Sequence, residues 1–181
     1  MALNAGAVLW GAAEAFLFFI VPDVLISYVA LRRGLRAGVV AGLFAALGAV
    51  VGGAAMYAWS ERAPEPALAA VSAVPAVSDA MVEEARVGMG EDGWFVASLK
   101  GPLTNTPYKV YAALAPDHGA SLPAFAAAAL PVRLPRFLAV AAVFALIGAA
   151  VRGRVSGKAT RGAFTAGWVL FYGWFWLSHP G

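Results

Sequence analysis

Six charged side chains interrupt the apolar stretches of this 181-residue chain. They are the acids Glu14 and Asp23 and the bases Lys100, Lys109, Arg133 and Arg136. An ionised side chain at the centre of a bilayer costs at least about 2.5 kcal/mol on insertion scales, so it usually has a partner or a function. A buried carboxyl group can exchange protons, and arginine and lysine bind phosphate. These residue types therefore predict proton coupling at the two acids and binding of a phosphate group at the four bases.

Each of these residues also has a structural interpretation. Glu14 would lock two hairpins of the chain together through a salt bridge, and Asp23 would cap a helix that begins directly after it. The two lysines would extend their ammonium groups to the membrane interface. Arg133 and Arg136 are three residues apart and share one helix face, where they would serve as interfacial anchors or as partners in salt bridges within the protein. Residue type alone leaves both interpretations open.

The composition is that of a membrane protein. Hydrophobic residues make up 61% of the chain and charged residues 13%, against about 25% charged in a soluble domain. There is no cysteine, which excludes disulfides and thiolate chemistry, and two histidines are too few for a multi-histidine metal site. No catalytic motif is present, so we expect no enzyme activity, no metal and no cofactor. The basic residues fall in short clusters between apolar runs, so we expect no nucleic-acid partner.

Three apolar runs are long enough to cross a bilayer, which takes about 20 residues. These predicted transmembrane helices are 37–59, 133–152 and 162–178. Two further apolar regions, 5–31 and 94–131, are broken by prolines and polar residues. Broken backbone at membrane depth is tolerated only where it is buried in protein or lines a wet cavity, so both regions are predicted to be re-entrant hairpins. The predicted turn residues are Pro22 in the first hairpin and Pro102, Asn105 and Pro107 in the second.

The charges outside these stretches predict the topology. Residues 60–93 carry seven acids and are predicted to form an external acidic loop with an amphipathic helix that Ser78 caps. The segments 32–36 and 152–161 carry seven basic residues and no acid. The positive-inside rule places these two segments in the cytoplasm. We therefore expect a multi-pass membrane protein, built as one membrane domain over residues 1–181.

A weak internal repeat has a period of 100 residues. Over 33–53, ten of 21 positions are identical to those 100 residues later, including Arg33 with Arg133 and Arg36 with Arg136. The repeated unit is a hairpin, an arginine pair and a span, and the predicted topology makes the two copies inverted. The predicted fold is thus all-α, an inverted repeat of re-entrant hairpin plus transmembrane helix, with an additional C-terminal transmembrane helix. Secondary transporters have this architecture, and the two hairpin tips would meet near the midplane.

Several stretches resemble the DedA family of membrane proteins, especially its short YqaA-like branch. The resemblance covers most of 8–150 and is carried by 13–25, by 100–110 and by the pair Arg133 and Arg136. The span 46–57 resembles the glycine-spaced family pattern followed by tyrosine, and Gly48, Gly52 and Tyr57 would have a role in helix packing. The resemblance implies a location in the bacterial inner membrane and movement of phospholipid or undecaprenyl phosphate between leaflets, linked to the proton gradient. It also implies that the acidic and basic hairpin residues are needed for that movement.

Three functions stay open at this point. The first is a DedA-like lipid transporter, in which Glu14 and Asp23 exchange protons and the bases bind the lipid phosphate. The second is a proton-coupled antiporter of a small ion or solute that uses the same residues. The third is a membrane assembly or scaffold protein without transport activity, whose buried charges serve folding alone. The partners expected for the first are membrane lipids and protons, and the chain could form a homo-oligomer.

Overall fold

The computed structural model describes residues 2–75 and 77–178, and its regular elements there are all helices. The α-helices are α1 (Ala2–Phe16), α2 (Asp23–Arg33), α3 (Leu35–Arg62), α4 (Pro64–Ser72), α5 (Asp79–Asp92), α6 (Trp94–Thr104), α7 (Tyr108–Leu114), α8 (Leu122–Val151) and α9 (Gly157–Ser178). A short 3-10 helix, Ala115–His118, follows α7. The all-α class predicted from the sequence is confirmed.

Two helices, α3 and α8, are longer than the others. With 28 and 30 residues, α3 and α8 are about 42 and 45 Å long, more than the roughly 30 Å of a bilayer's hydrocarbon core. They are the helices within the described ranges that are both long and apolar enough to cross a membrane. The predicted third span lies in α9, whose tryptophans, tyrosine and glycines make it less apolar, and its crossing stays a prediction.

Helix α1 runs parallel to α3 in close contact. A Cβ atom placed on Gly48 would clash with the backbone of Val8 and Ala12, and one placed on Gly52 would clash with Ala12. Going from Gly48 to Gly52 moves the carbonyl in contact forward from Val8 to Ala12, so the two helices run in the same direction. Gly48 and Gly52 therefore occupy the packing positions that the glycine spacing predicts.

The chain then turns back on itself. Residues 17–22 are not helical, and α2 runs antiparallel to α3, with Gly38 against Ala30 and Gly42 within reach of Ile26. The region 5–31 is therefore not one continuous helix. We call α1, the turn 17–22 and α2 the first hairpin.

A second helical hairpin is formed by α6, the turn 105–107 and α7. Asn105 ends α6 with a positive φ of 59°, a conformation that asparagine adopts more readily than most residues. Pro107 precedes α7, whereas Pro102 lies within α6 and not in the turn as predicted. Residues 122–131, predicted to belong to this hairpin, instead form the first turns of α8, so the second hairpin spans 94–114.

The two hairpins point toward each other. Helix α7 runs parallel to α3, because Tyr108 lies against Gly53 and the Ser60 hydroxyl donates to the carbonyl of Ala113 at 2.5 Å. The first hairpin therefore reaches its turn by running along α3, while the second leaves its turn in that same direction. Their turns meet where Lys109 Nζ donates a hydrogen bond to the Phe18 carbonyl at 3.0 Å.

Helix α8 also packs against α3. It runs antiparallel to α3, since Gly42 faces Phe137 and Gly38 faces Ala141. At its N-terminal end Tyr57 donates a hydrogen bond from its hydroxyl to the carbonyl of Ala120. The predicted packing role of Tyr57 agrees with this position.

The acidic segment 60–93 contains two helices, α4 and α5. Ser78 caps α5 as predicted, with its hydroxyl accepting a hydrogen bond from the backbone N–H of Met81 at 3.3 Å. One face of α5 is buried through Val82, Ala85 and Met89, while its acids lie on the exposed face. This helix is therefore amphipathic, as the sequence pattern indicates.

The loops between these helices make the predicted topology testable with single cysteines, because the chain has none of its own. Ala80→Cys lies on the exposed face of α5, and Val155→Cys lies in the loop between α8 and α9. In intact bacteria, a membrane-impermeant maleimide should label the first variant, and it should label the second only after the cells are permeabilised. Labelling of Val155→Cys in intact cells would overturn the topology.

Replacing glycine by alanine should have opposite effects on stability at the contact between α1 and α3 and at an open position on α5. Gly52→Ala pushes a methyl group into the backbone of Ala12 and should lower stability by about 1–3 kcal/mol. Gly90→Ala, in open space on α5, should raise stability by up to about 1 kcal/mol through helix propensity. Thermal unfolding in detergent measures both, and a stabilising Gly52→Ala would contradict the close approach.

Candidate functional site: a buried cluster of ion pairs

The centre of the site is an ion pair between Glu14 and Arg133. Glu14 lies in the last turns of α1, and Arg133 lies near the middle of α8. Their exposed fractions are 2% and 6%, and a guanidinium nitrogen of Arg133 donates to Glu14 Oε2. The Arg133 guanidinium also lies over the rings of Phe137, at 4.9 Å, and Tyr108, at 5.7 Å. Removing one partner of such a pair leaves an uncompensated buried charge.

A second ion pair lies one turn further along α8. Asp23 begins α2 and is 2% exposed, and Arg136 Nε donates to its Oδ1 at 3.3 Å. A terminal nitrogen of Arg136 lies 3.2 Å from Oδ2. Pro22, not Asp23, occupies the N-cap position of α2, and the Asp23 side chain binds arginine instead of capping the helix. Because Arg133 and Arg136 share one face of α8, this helix forms ion pairs with both α1 and α2 of the first hairpin.

Lys109 contributes a third buried cation from the second hairpin. It is the second residue of α7, is 2% exposed, and donates from Nζ to the carbonyl of Phe18. Glu14 attracts its ammonium group and Arg133 repels it. Both hairpins thus supply charged groups to one cluster, which we call the charged cluster: Glu14, Asp23, Lys109, Arg133 and Arg136.

Lys100 does not join the charged cluster. Its side chain is 53% exposed, and its Nζ lies 2.5 Å from Asp92 Oδ2, at the C-terminal end of α5. An exposed pair of this kind contributes little to stability. The expectation that Lys100 lines a groove with the other five residues is therefore wrong, because α6 carries it to the surface.

Side chains satisfy the backbone of the non-helical turn 17–22. The indole N–H of Trp10 donates to the carbonyl of Ile20 at 2.9 Å, and the backbone N–H of Val21 donates to the Tyr172 hydroxyl at 2.9 Å. The Nζ of Lys109 likewise donates a hydrogen bond to the carbonyl of Phe18. Backbone groups outside a helix need such partners when water is excluded. This role of Tyr172 could not be predicted from the sequence, where it is one hydroxyl group in an apolar run.

A cavity of about 120 Å³, which we call the central cavity, lies at the charged cluster. Its charged lining residues are Glu14, Lys109, Arg133 and Arg136, and Tyr172 borders it from α9. Asn105 and Pro107 line its other side from the second turn, together with Thr106 and Pro102. The cavity is thus enclosed by the two turns, α8 and α9.

The charges of the cluster do not balance. With every side chain in its ordinary ionised form, its three basic and two acidic residues give a formal excess of one positive charge. Arg136 is the most exposed of the five, with 39% of its side chain accessible. An unmatched cation among buried side chains is costly, so the cluster is suited to bind one anion.

Within the described ranges, no three histidine, aspartate or glutamate side chains lie close enough together to hold a metal ion. One of the two histidines, His179, lies outside these ranges.

Comparison of the chain with protein-family models, with curated proteins and with solved structures gives no match. The function is therefore inferred below from the geometry and charge of the site.

The buried pair predicts a strongly non-additive pattern of stability. Arg133→Gln leaves the Glu14 carboxylate buried without its partner and should cost about 3–5 kcal/mol. The double variant with Glu14→Gln removes both charges and should recover much of that loss. Arg33→Gln, at the exposed position 100 residues earlier, is the matched control and should stay within about 0.5 kcal/mol of the parent. Thermal unfolding in detergent measures all three, and additive losses would show that the two side chains act independently.

Proposed function

We propose that the protein moves an anionic lipid between the leaflets of a membrane, as its resemblance to the DedA family implies. The observation that carries the proposal is the charged cluster, which combines two arginines, a lysine and two carboxylates at the meeting point of two opposed hairpins. Arginine binds phosphate through paired hydrogen bonds, which suits Arg133 and Arg136 to a lipid headgroup.

The proposal includes a membrane position for the hairpins. Their helices contain 15, 11, 11 and 7 residues, so they reach at most about 22 Å and none crosses the hydrocarbon core alone. With α3 and α8 as spans, the two turns would lie inside the bilayer and approach from opposite sides. The opposed directions of the hairpins along α3 support an inverted repeat of two re-entrant hairpins.

Proton coupling would arise from competition for Arg133. In the structure this arginine is engaged by Glu14. Protonation of Glu14 would remove its negative charge and free the guanidinium group for a phosphate. Asp23 would compete for Arg136 in the same way. Coupling of this kind requires that the protonated and ionised states differ in their affinity for the lipid.

The surroundings of the cluster favour a lipid over a water-soluble substrate. An apolar groove of about 330 Å³ between α8 and α9 reaches Arg136, so a hydrocarbon chain could lie beside the charged group. A proton-coupled antiporter of a small ion would instead need a closed aqueous vestibule. A scaffold role would explain the two ion pairs and the hydrogen bond from Lys109 to the first turn, but it gives no reason for the apolar groove beside Arg136.

Reconstitution into liposomes tests the proposal. The purified protein should move fluorescent phospholipid or undecaprenyl phosphate across the bilayer faster than protein-free liposomes, with a rate that depends on the pH gradient. Glu14→Gln leaves Arg133 without a charged competitor and should reduce that pH dependence to the contribution of Asp23. Glu84→Gln, an exposed acid of α5, is the matched control and should behave as the parent.

Two outcomes would contradict the proposal. Unchanged pH dependence in Glu14→Gln would remove Glu14 from the coupling mechanism. Lipid movement no faster than in protein-free liposomes would leave the scaffold function as the explanation of the buried charges.

A further inference from the structure

The central cavity and the apolar groove between α8 and α9 meet at Arg136. Arg136 lines both, and so does Phe171 of α9. On one side of Arg136 lie the turns and the other cations, and on the other side lies a surface of aromatic and small residues. A single molecule that occupied both spaces would need an ionic end and an apolar end.

The groove is shaped for a slender apolar chain. Its other lining residues are Phe144 of α8 and, on α9, Ala163, Phe164, Gly167 and Trp168. A Cβ atom on Gly167 would meet no neighbour within 4 Å, so the floor of the groove is open there. From Arg136 to Phe144 the groove follows α8 for about 12 Å, since eight residues rise 1.5 Å each. Apart from Arg136, its residues are apolar or aromatic.

The charge of the cluster limits the headgroup. One excess positive charge is matched by a group that carries one negative charge. A phosphodiester carries one, whereas a phosphate monoester carries about 1.5 to 2 at neutral pH. The charge balance therefore favours a diester headgroup without a cation of its own.

We propose that the groove between α8 and α9 binds one acyl chain of an anionic glycerophospholipid whose phosphodiester pairs with Arg136. This inference rests on the proposed lipid transport and adds to it the binding position of the chain and the charge of the substrate. Arg136 positions the headgroup while remaining close to Asp23, and the aromatic rings of α8 and α9 enclose the chain.

Photo-crosslinking locates the chain. The full-length protein in liposomes is incubated with phosphatidylglycerol that carries a diazirine in its acyl chain, irradiated and digested. Mass spectrometry should find adducts concentrated on Phe144, Phe164 and Trp168. Gly167→Trp fills the open floor and should lower this labelling about tenfold, the effect of roughly 1.4 kcal/mol in binding. Val169→Trp, on the exposed face of the same helix, is the matched control and should leave labelling unchanged.

Competition and charge variants test the headgroup. Unlabelled phosphatidylglycerol should reduce the adducts more than phosphatidylcholine or undecaprenyl phosphate does at equal concentration. Arg136→Gln should remove that preference, and Arg136→Lys should keep it because the charge remains. Equal labelling of the two tryptophan variants, or stronger competition by undecaprenyl phosphate, would overturn the proposal.

The result is separable from that of the transport experiment. Lipid movement at the parent rate in Gly167→Trp would refute the groove while leaving the transport function intact. Adducts in the groove that depend on Arg136, together with no lipid movement by the parent protein, would refute transport and retain the binding site.

Discussion

The ion pair between Glu14 and Arg133 is the constraint on which the rest of the arrangement depends. Neither charge has access to bulk water, so each must lie beside the other for the chain to fold. Since Arg136 is three residues away on the same face of α8, satisfying the first pair brings the second arginine to Asp23. One helix face thereby fixes both arms of the first hairpin.

Close packing and backbone satisfaction make that pairing possible. The glycines at 48 and 52 let α1 approach α3 until backbone touches backbone, which carries Glu14 to the depth of Arg133. Beyond Glu14 the helix stops, and the turn 17–22 exposes polar backbone groups that would otherwise be unsatisfied. Trp10, Lys109 and Tyr172 supply their partners from three different helices. Lys109 thus holds the first turn and adds charge to the cluster at the same time.

The sequence was sufficient to predict that five of the six charged residues inside apolar runs would lie together, because isolated charges there are too costly. It also predicted the break after α1, the cap at Ser78 and the glycine contacts, all of which are local properties. Other features depend on contacts distant in sequence. Glu14 and Arg133 are 119 residues apart, and no local pattern shows that they pair. The same holds for Tyr172, whose hydroxyl reaches a backbone group 151 residues away.

The errors have physical causes as well. The span predicted over 133–152 begins too late, because α8 already begins at Leu122 and continues through Pro131 and Pro135. Lys100 was grouped with Lys109 because both flank a turn, although the helical path of α6 brings Lys100 to Asp92 at the surface.

The two ion pairs that stabilise the fold also involve the arginines that the proposed function assigns to phosphate binding. A phosphate that bound Arg133 or Arg136 would compete with the carboxylate that now holds it, so binding would loosen the contact between α8 and the first hairpin. With equal numbers of cations and carboxylates, such binding would leave a buried carboxylate without any partner. The third cation, Lys109, changes that balance, because it already lies in the field of Glu14 and belongs to the opposite hairpin. A carboxylate released from arginine would therefore still have a cation nearby, and the exchange of partners would proceed without an unpaired charge in the membrane.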